Sequence, residues 1–397
     1  MSAARRGRTR ARALTLAALG VVALATLAAD AVDERDARAL ARVAEPPLGL
    51  PEVPVPVDNP LTAAKVALGR KLFFDRRLSH NRTMSCAMCH IPEQGFTNNE
   101  VTTPVGVRGR SLPRNAPTTY NVAYQRTLFH DAREASLENQ VFGPLLSPDE
   151  MANPSVGFLL ETITGASDYS GLFEAAFGAS ANVLNIGEAL ASYQRTVLSG
   201  NSPFDRWHFG GERDAVSAAA KRGYGLFTGK AGCVACHAIG ERDALFTDHG
   251  LHNTGVGYVL VSRPVERRAA VDVELMPGVV VPLKLKRGPA GGAPREKDLG
   301  RMGITDDPRD LQAFKTPSLR NVALTAPYMH DGSLRTLAEV VRFYRDGGTP
   351  NPGLDPLLRP LALDDDEVAA LVTFLESLSG DNVDELTADA RSVPIGN

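Results

Sequence analysis

Apolar residues recur at three- and four-residue spacing along several stretches of the chain, the period of a helix with one buried face. Val156 to Ile163, Ile186 to Val197, Leu337 to Tyr344 and Val368 to Leu378 all follow it. The last of these begins after Asp364-Asp365-Asp366 and stops at Gly380, residue types that start and end helices. Elsewhere the period changes to two. Val271-Asp272-Val273-Glu274-Leu275 and Val279 to Leu285 alternate around Met276-Pro277-Gly278, which predicts a β-hairpin. The pattern as a whole predicts an all-α fold carrying one small hairpin.

The N-terminus is different in kind. Arg5, Arg6, Arg8, Arg10 and Arg12 precede an apolar run from Ala13 to Ala28, and Ala29-Asp30-Ala31 offers a small-x-small cleavage site. Residues 1–31 are therefore expected to be a signal peptide that sends the chain to the periplasm. The run is short for a spanning helix, so membrane attachment is expected only if the signal stays uncleaved. Six prolines lie between Pro46 and Pro60, which predicts an extended Pro-rich tether over 32–59. The remaining length of a 397-residue chain suits two domains, each able to bury a core. Formal net charge is −3 and becomes more acidic once the leading arginines are removed. That balance argues against nucleic acid as a partner and favours a basic redox protein, which opposite charge would steer into weak encounters.

The cysteines carry the chemistry. Cys86-Ala87-Met88-Cys89-His90 and Cys233-Val234-Ala235-Cys236-His237 are two Cys-x-x-Cys-His runs, the attachment signature of covalent haem c. Two thiols at this spacing can add to the two vinyl groups on one haem edge while the adjacent imidazole turns in to ligate iron. Two other readings use the same cysteines: a four-thiolate zinc site, which needs no histidine after each pair, and two disulfides in an exported protein.

The chain also repeats itself. Gly69-Arg70-Lys71-Leu72-Phe73 precedes the first run and Gly223-Tyr224-Gly225-Leu226-Phe227 the second. At a constant offset of 200, Pro117-Thr118-Thr119-Tyr120-Asn121-Val122-Ala123 matches Pro317-Ser318-Leu319-Arg320-Asn321-Val322-Ala323, and His130-Asp131 matches His330-Asp331. Two cytochrome c-like haem domains related by internal duplication are expected, at 60–208 and 212–382. Asn201 to Gly211 is the junction between them, and 383–397 a tail. The second copy carries an insertion around 262–300, read as a solvated loop or as a shaper of access to a haem.

These motifs, with Asn115-Ala116-Pro117, Gly143-Pro144-Leu145 and Ala326-Pro327-Tyr328-Met329-His330-Asp331-Gly332, resemble the bacterial di-haem cytochrome c peroxidases over most of the chain after Asn59. Within that superfamily the sixth ligand of the second haem is methionine in typical peroxidases and tyrosine in the methylamine-utilisation (MauG-like) branch. The matching stretch, Val340 to Gly348, holds Tyr344 and no methionine, so the resemblance is to the tyrosine branch. The repeat gives a second line of argument. Tyr344 stands fourteen residues after His330, and fourteen after His130 stands Pro144, which has no ligating side chain.

The resemblance implies two covalently bound haem c groups, on Cys86, Cys89 and His90 and on Cys233, Cys236 and His237, with Tyr344 over the second iron and the first left open to hydrogen peroxide. It implies Glu150 as the acid/base, with Gln140 and Pro144 shaping the pocket, although Glu150 in Ser147-Pro148-Asp149-Glu150 also reads as a helix-start residue and Tyr344 as a core aromatic. His130 stands where the family has an inter-haem tryptophan. Val105 to Arg110 lacks the histidine that caps the first haem in many members, which implies a site ready without prior reduction. Asn121, Thr325 and Pro327 match the family's calcium site. His80, His208, His249 and His252 read as structural or surface residues. The implied activity is that of a di-haem peroxidase, its electrons coming from a small redox protein (cytochrome c or cupredoxin) or from a protein substrate. The alternative is a non-catalytic di-haem electron-transfer cytochrome.

Overall fold

Two crossed pairs of helices organise the computed structural model, which describes residues 34–258, 271–276, 279–283 and 298–392. The expected signal peptide and much of the insertion lie outside those residues. In chain order the helices are α1 (34–44), α2 (Ala63–Phe74), α3 (Leu137–Gln140), α4 (Phe142–Leu146), α5 (Val156–Thr164), α6 (Leu172–Phe177), α7 (Val183–Arg195), α8 (Pro203–His208), α9 (Ala218–Thr228), α10 (Met302–Thr305), α11 (Leu337–Arg345), α12 (Asp365–Glu376) and α13 (Val383–Arg391). The hairpin forms as expected, β2 (Val271–Met276) pairing antiparallel with β3 (Val279–Leu283). A second short pair, β1 (Leu251–His252) with β4 (Phe314–Lys315), went unforeseen because two residues are too few to show a period.

Local chemistry starts the helices where the sequence suggests. Thr62 caps α2 by accepting from Lys65 N–H, and capping boxes open α7 (Asn182 with Asn185), α11 (Thr336 with Glu339) and α12 (Asp364 with Glu367). Asp365, Asp366 and Glu367 in the first turn of α12 also oppose the positive end of its dipole. α2 then crosses α7, and α9 crosses α12. Each crossing turns on a glycine. A Cβ on Gly69 would come 1.8 Å from the Ala189 carbonyl oxygen, and one on Gly223 would come 2.0 Å from that of Ala370. No other residue lets the two backbones approach so closely.

Each crossing sits in its own core. The first gathers Leu72, Phe73, Leu78, Leu159, Ile186 and Leu190, with Cys86 and Ala87 packed against it. The second gathers Phe204, Phe227, Phe246, Leu371 and Phe374, with Cys233 and Val234 packed against it.

Three expectations about boundaries are corrected. Within the expected tail, Val383–Arg391 form the helix α13, whose Leu386 and Ala390 are buried in the first core. The tether is packed chain: α1 sends Asp36 to Arg70 at 2.6 Å, Leu50 and Val53 are buried beside Tyr124 and Leu198, and Gly49 bridges to Asp243. The expected extension fails over 34–44, which form α1, and proline density could not show what the non-helical stretch after it lies against. The junction folds as α8, and its Phe204, fully buried, lies at the centre of the second core.

Matching local geometry recurs at the 200-residue offset. Asn121 and Asn321 both adopt the left-handed conformation, φ 58° and 59°, which asparagine tolerates better than most residues. Each opens a 3-10 turn, Val122–Tyr124 and Val322–Leu324. Leu128 bridges Glu134 as Tyr328 bridges Leu334. The two halves also exchange hydrogen bonds, Asn115 N–H to the His330 carbonyl at 2.7 Å and Lys315 N–H to the His130 carbonyl at 2.8 Å.

Candidate functional site

At the second Cys-x-x-Cys-His run a 3-10 turn, Cys233–Ala235, follows Gly232, and His237 N–H closes back on the Cys233 carbonyl at 2.9 Å. Cys233, Cys236 and His237 line a cavity of about 370 Å³, as does Tyr344 of α11. The His237 ring faces the Phe246 carbonyl through Nδ1 at 2.9 Å, which assigns the proton to that nitrogen and leaves Nε2 as the ligating atom. Burial lowers its pKa, against the pull of the Phe246 carbonyl and Asp248, so the imidazole is neutral. Burial pushes the Tyr344 phenol above its ordinary value, and the nearby Cys236 and Cys233 sulfurs push it further. Phenol, thiols and imidazole thus share one apolar chamber.

The first run repeats this arrangement on one side. Cys86–Met88 is a 3-10 turn, His90 N–H bonds the Cys86 carbonyl at 2.9 Å, and His90 Nδ1 faces the Phe96 carbonyl at 3.2 Å. Burial raises the Cys86 thiol to about 12 and the Cys89 thiol to about 11, with the Glu150 charge contributing to both. Glu150 is therefore close enough for its charge to be felt at both cysteines. Its own pKa is raised by burial, with Asp149 adding, while the Ser147 hydroxyl and Arg133 pull it down. The Glu150 carbonyl accepts from Val107 N–H at 2.9 Å, so the 105–111 loop, closed by a Val105 to Ser111 bridge, lies against it. Pro144 sits on α4 and Gln140 ends α3, both half-buried.

His130 lines the same cavity as His237 and Tyr344, together with Phe129, Phe314 and His330, so that the chamber extends from the second run into residues of the first half. His130 Nε2 is 3.0 Å from the Asn115 carbonyl. Burial and the His330 charge lower its pKa to about 3, which keeps it neutral. His330 stacks on Phe314, ring centres 3.7 Å apart. The expected calcium ligands are brought near this region but not into an open cage. Asn121 exchanges both amide atoms with Ser199, Thr325 Oγ1 bonds the Val322 carbonyl, and the Pro327 carbonyl takes Asn115 Nδ2 at 2.6 Å. No carboxylate belongs to the set, and the three oxygens do not by themselves fit a calcium site.

Comparison with known proteins decides the family. A family model described as di-haem cytochrome c peroxidase matches residues 63–214. The chain is 38% identical to methylamine utilization protein MauG of Methylorubrum extorquens over 90% of its own length and 89% of the relative's. It is 40% identical to cytochrome-c peroxidase IdrP1 of Denitromonas iodatirespirans, over 84% and 86%. Among solved structures it resembles a MauG-like protein associated with microbial copper homeostasis, with a TM-score of 0.67, 32% identity and coverage of 85% and 96%. The chain belongs to the di-haem cytochrome c peroxidase superfamily, in its MauG-like branch.

Membership implies covalently bound haem c, and the residues fit it. All four cysteines are free thiols, and Cys86 and Cys233 pack against separate cores, so neither the disulfide nor the four-thiolate zinc reading is realised. In a di-haem oxidoreductase each pair instead faces a neutral imidazole whose Nδ1 is already committed. Among the described residues no helix is long and apolar enough to cross a membrane.

Two groups at the sites are given no part there by the sequence, which reads His252 as a structural or surface residue. His252 lies within the second chamber, Nδ1 2.6 Å from Asp355 and Nε2 2.8 Å from Asp248. Its pKa rises to about 10 through a bond to Cys236 and through both carboxylates, against burial. Asp355 is 103 residues away in sequence, so no local signal could have paired them. Arg133 lies over the Phe129 ring at 3.4 Å and bonds Asp131 at 2.9 Å. A signal for it existed: the residue 200 positions on is Ser333, so Arg133 is a charge that one half has and the other lacks.

Proposed function

We propose that this chain is an exported di-haem peroxidase that reduces hydrogen peroxide at the Cys86–His90 site and relays or stores electrons at the Cys233–His237 site. The observation that carries this reading is the unequal furnishing of two otherwise similar sites. Tyr344 stands in the second chamber with Cys233 and Cys236, whereas Pro144 occupies the corresponding position of the first half and the charge of the largely buried Glu150 reaches Cys86 and Cys89. The recurrence of the Asn121 and Asn321 turns supports the two halves being copies of one cytochrome c-like domain.

Haem c, when bound, supplies the iron redox chemistry that cleaves the O–O bond. The chain's residues do the rest. His90 and His237 would each hold one haem iron through Nε2, and Tyr344 would offer its phenol oxygen to the second. Glu150 removes a proton from the attacking peroxide oxygen and returns it to the departing one, a double role that suits a carboxyl whose pKa burial has moved toward neutrality. Pro144 and Gln140 shape the space above the first site. The 105–111 loop supports Glu150 and carries no histidine to obstruct that space, so the oxidised protein reacts without prior reduction. His130 stays neutral and holds the inter-site geometry through Asn115 rather than carrying charge. Electrons come from a small cytochrome or cupredoxin, or from side chains of a protein substrate. Calcium takes no part in this reading.

The test is a resting-state EPR spectrum of the holoprotein followed by a peroxide titration. One high-spin and one low-spin haem, with rapid reaction of the oxidised form, is the expected result. Tyr344→Phe should convert the low-spin signal. Two low-spin haems inert to peroxide would instead make the chain an electron carrier.

A further inference from the structure

The rings packed around the two imidazoles run to different ends in the two halves. In the first half a chain of rings runs from His90 to Phe73, with centres 6.3 Å apart, and on to Tyr193 at 5.3 Å. There it ends in the interior. Tyr193 is 4% exposed, Arg70 lies 5.7 Å over its ring, and Arg70 is itself buried against Asp36 of α1. Tyr224 takes the place of Arg70 in the second half. Here the rings continue outward. His237 lies 6.5 Å from Phe227, Phe227 5.0 Å from Phe374, Phe374 5.8 Å from Tyr224, and Tyr224 5.2 Å from Trp207, the single tryptophan of the chain. A parallel branch passes from Trp207 to Phe204 at 6.1 Å and Phe246 at 5.3 Å, whose carbonyl holds His237 Nδ1. Trp207 and Tyr224 are both partly exposed, and His208 beside them is exposed. No counterpart of α1 or α13 seals this face among the described residues.

We propose that Trp207 and Tyr224 form a one-electron relay between the second haem and the protein surface. The inference rests on the reading that Cys233–His237 holds a redox-active haem. Indole and phenol are the most readily oxidised of these rings, so they are the two stations at which a hole can rest, while Phe204, Phe227 and Phe374 fill the gaps between them. In each transfer Trp207 gives one electron inward and releases its Nε1 proton to water. An electron from an external donor, with a proton from water, restores the indole. Per hydrogen peroxide, two such electrons and two protons yield two waters.

The relay can be read without peroxide. Tris(bipyridine)ruthenium(III), generated by a flash in the presence of fully ferrous holoprotein, oxidises accessible tryptophan, and bleaching of the ferrous second-haem band follows the arrival of the hole. Trp207→Phe and Tyr224→Phe keep the ring packing and should slow that phase severalfold while leaving midpoint potentials and resting spectra unchanged, which a merely structural role would not do. Tyr193→Phe, in the sealed chain of the first half, should leave the rate as it was. An unchanged rate in both Trp207→Phe and Tyr224→Phe overturns the relay. A second arm adds peroxide without donor and looks for oxygen added to Trp207 by mass spectrometry. Wild-type protein inert to peroxide but carrying the flash-generated hole through Trp207 would defeat the peroxidase reading and leave the relay standing.

Discussion

Asp205 offers the most direct test of how the second half is assembled. Its carboxylate accepts from Arg320 Nη1 at 2.8 Å and Nη2 at 3.0 Å, and from Ser202 N–H at 2.9 Å and Oγ at 2.8 Å. Both charged side chains are sealed, 0% exposed for Asp205 and 1% for Arg320. Arg320 spends its remaining donors on the Ala244 carbonyl, at 2.6 Å, and on the Gly49 carbonyl. One ion pair thus ties α8, the 49–51 strap and the second core together. Asp205→Ala removes the capping box and leaves a buried guanidinium with neutral partners, and breaking a buried pair in this way costs about 3–5 kcal/mol. For a unit the size of the second half that is a Tm lower by roughly 6–20 °C. Thermal melts of the holoprotein, followed through the haem band of the second site, would measure it. Replacing both partners, Asp205→Leu with Arg320→Met, should restore most of the loss because no charge is stranded. A cost for Asp205→Ala below about 1 kcal/mol, the range of exposed pairs, would refute the reasoning.

Three further outcomes are expected. Gly223→Val puts atoms within the 2.0 Å gap to the Ala370 carbonyl and should abolish incorporation of the second haem, whereas Gly225→Ala, with nothing within 4 Å, should stabilise α9 by about 0.5–1 kcal/mol; pyridine haemochrome counts and melts distinguish them. Glu150→Gln should slow the stopped-flow reaction with peroxide by about 10²–10⁴. Because the Glu150 pKa is raised and the carboxylate form accepts the first proton, the wild-type rate should fall on acidification from a higher pH than an ordinary glutamate would give, and the variant should lose that limb. His252 has a folded pKa raised to about 10, so its charge stabilises the fold fully below 6.5 and that contribution fades as pH climbs toward 10. Thioether formation at Cys236 removes the largest of these causes and leaves the Asp355 and Asp248 contacts against burial, so His252→Gln should lessen the fall of Tm as pH rises above 6.5, over a window narrower than the thiol form would give.

Much of the molecule was legible along the chain because its signals are local. Helical periods placed α5, α7, α11 and α12, alternation placed the hairpin, and Cys-x-x-Cys-His marked both attachment turns. What stayed hidden depends on partners far away in sequence. Pro46 to Pro60 reads as free chain until Arg320 reaches the Gly49 carbonyl, 271 residues distant, and α13 reads as a tail until its apolar face meets the first core. The same distinction separates the two sites. Their attachment turns are alike in sequence and in shape, and at the equivalent helix position one half has Arg70 and the other Tyr224. Arg70 requires a carboxylate once buried, and α1 brings it Asp36; Tyr224 requires only apolar neighbours, which α8 supplies with Phe204 and Trp207. The residue at that one position thus meets a different remote segment in each half, and the path of rings stops in the interior beside Arg70 but reaches the partly exposed Trp207 beside Tyr224.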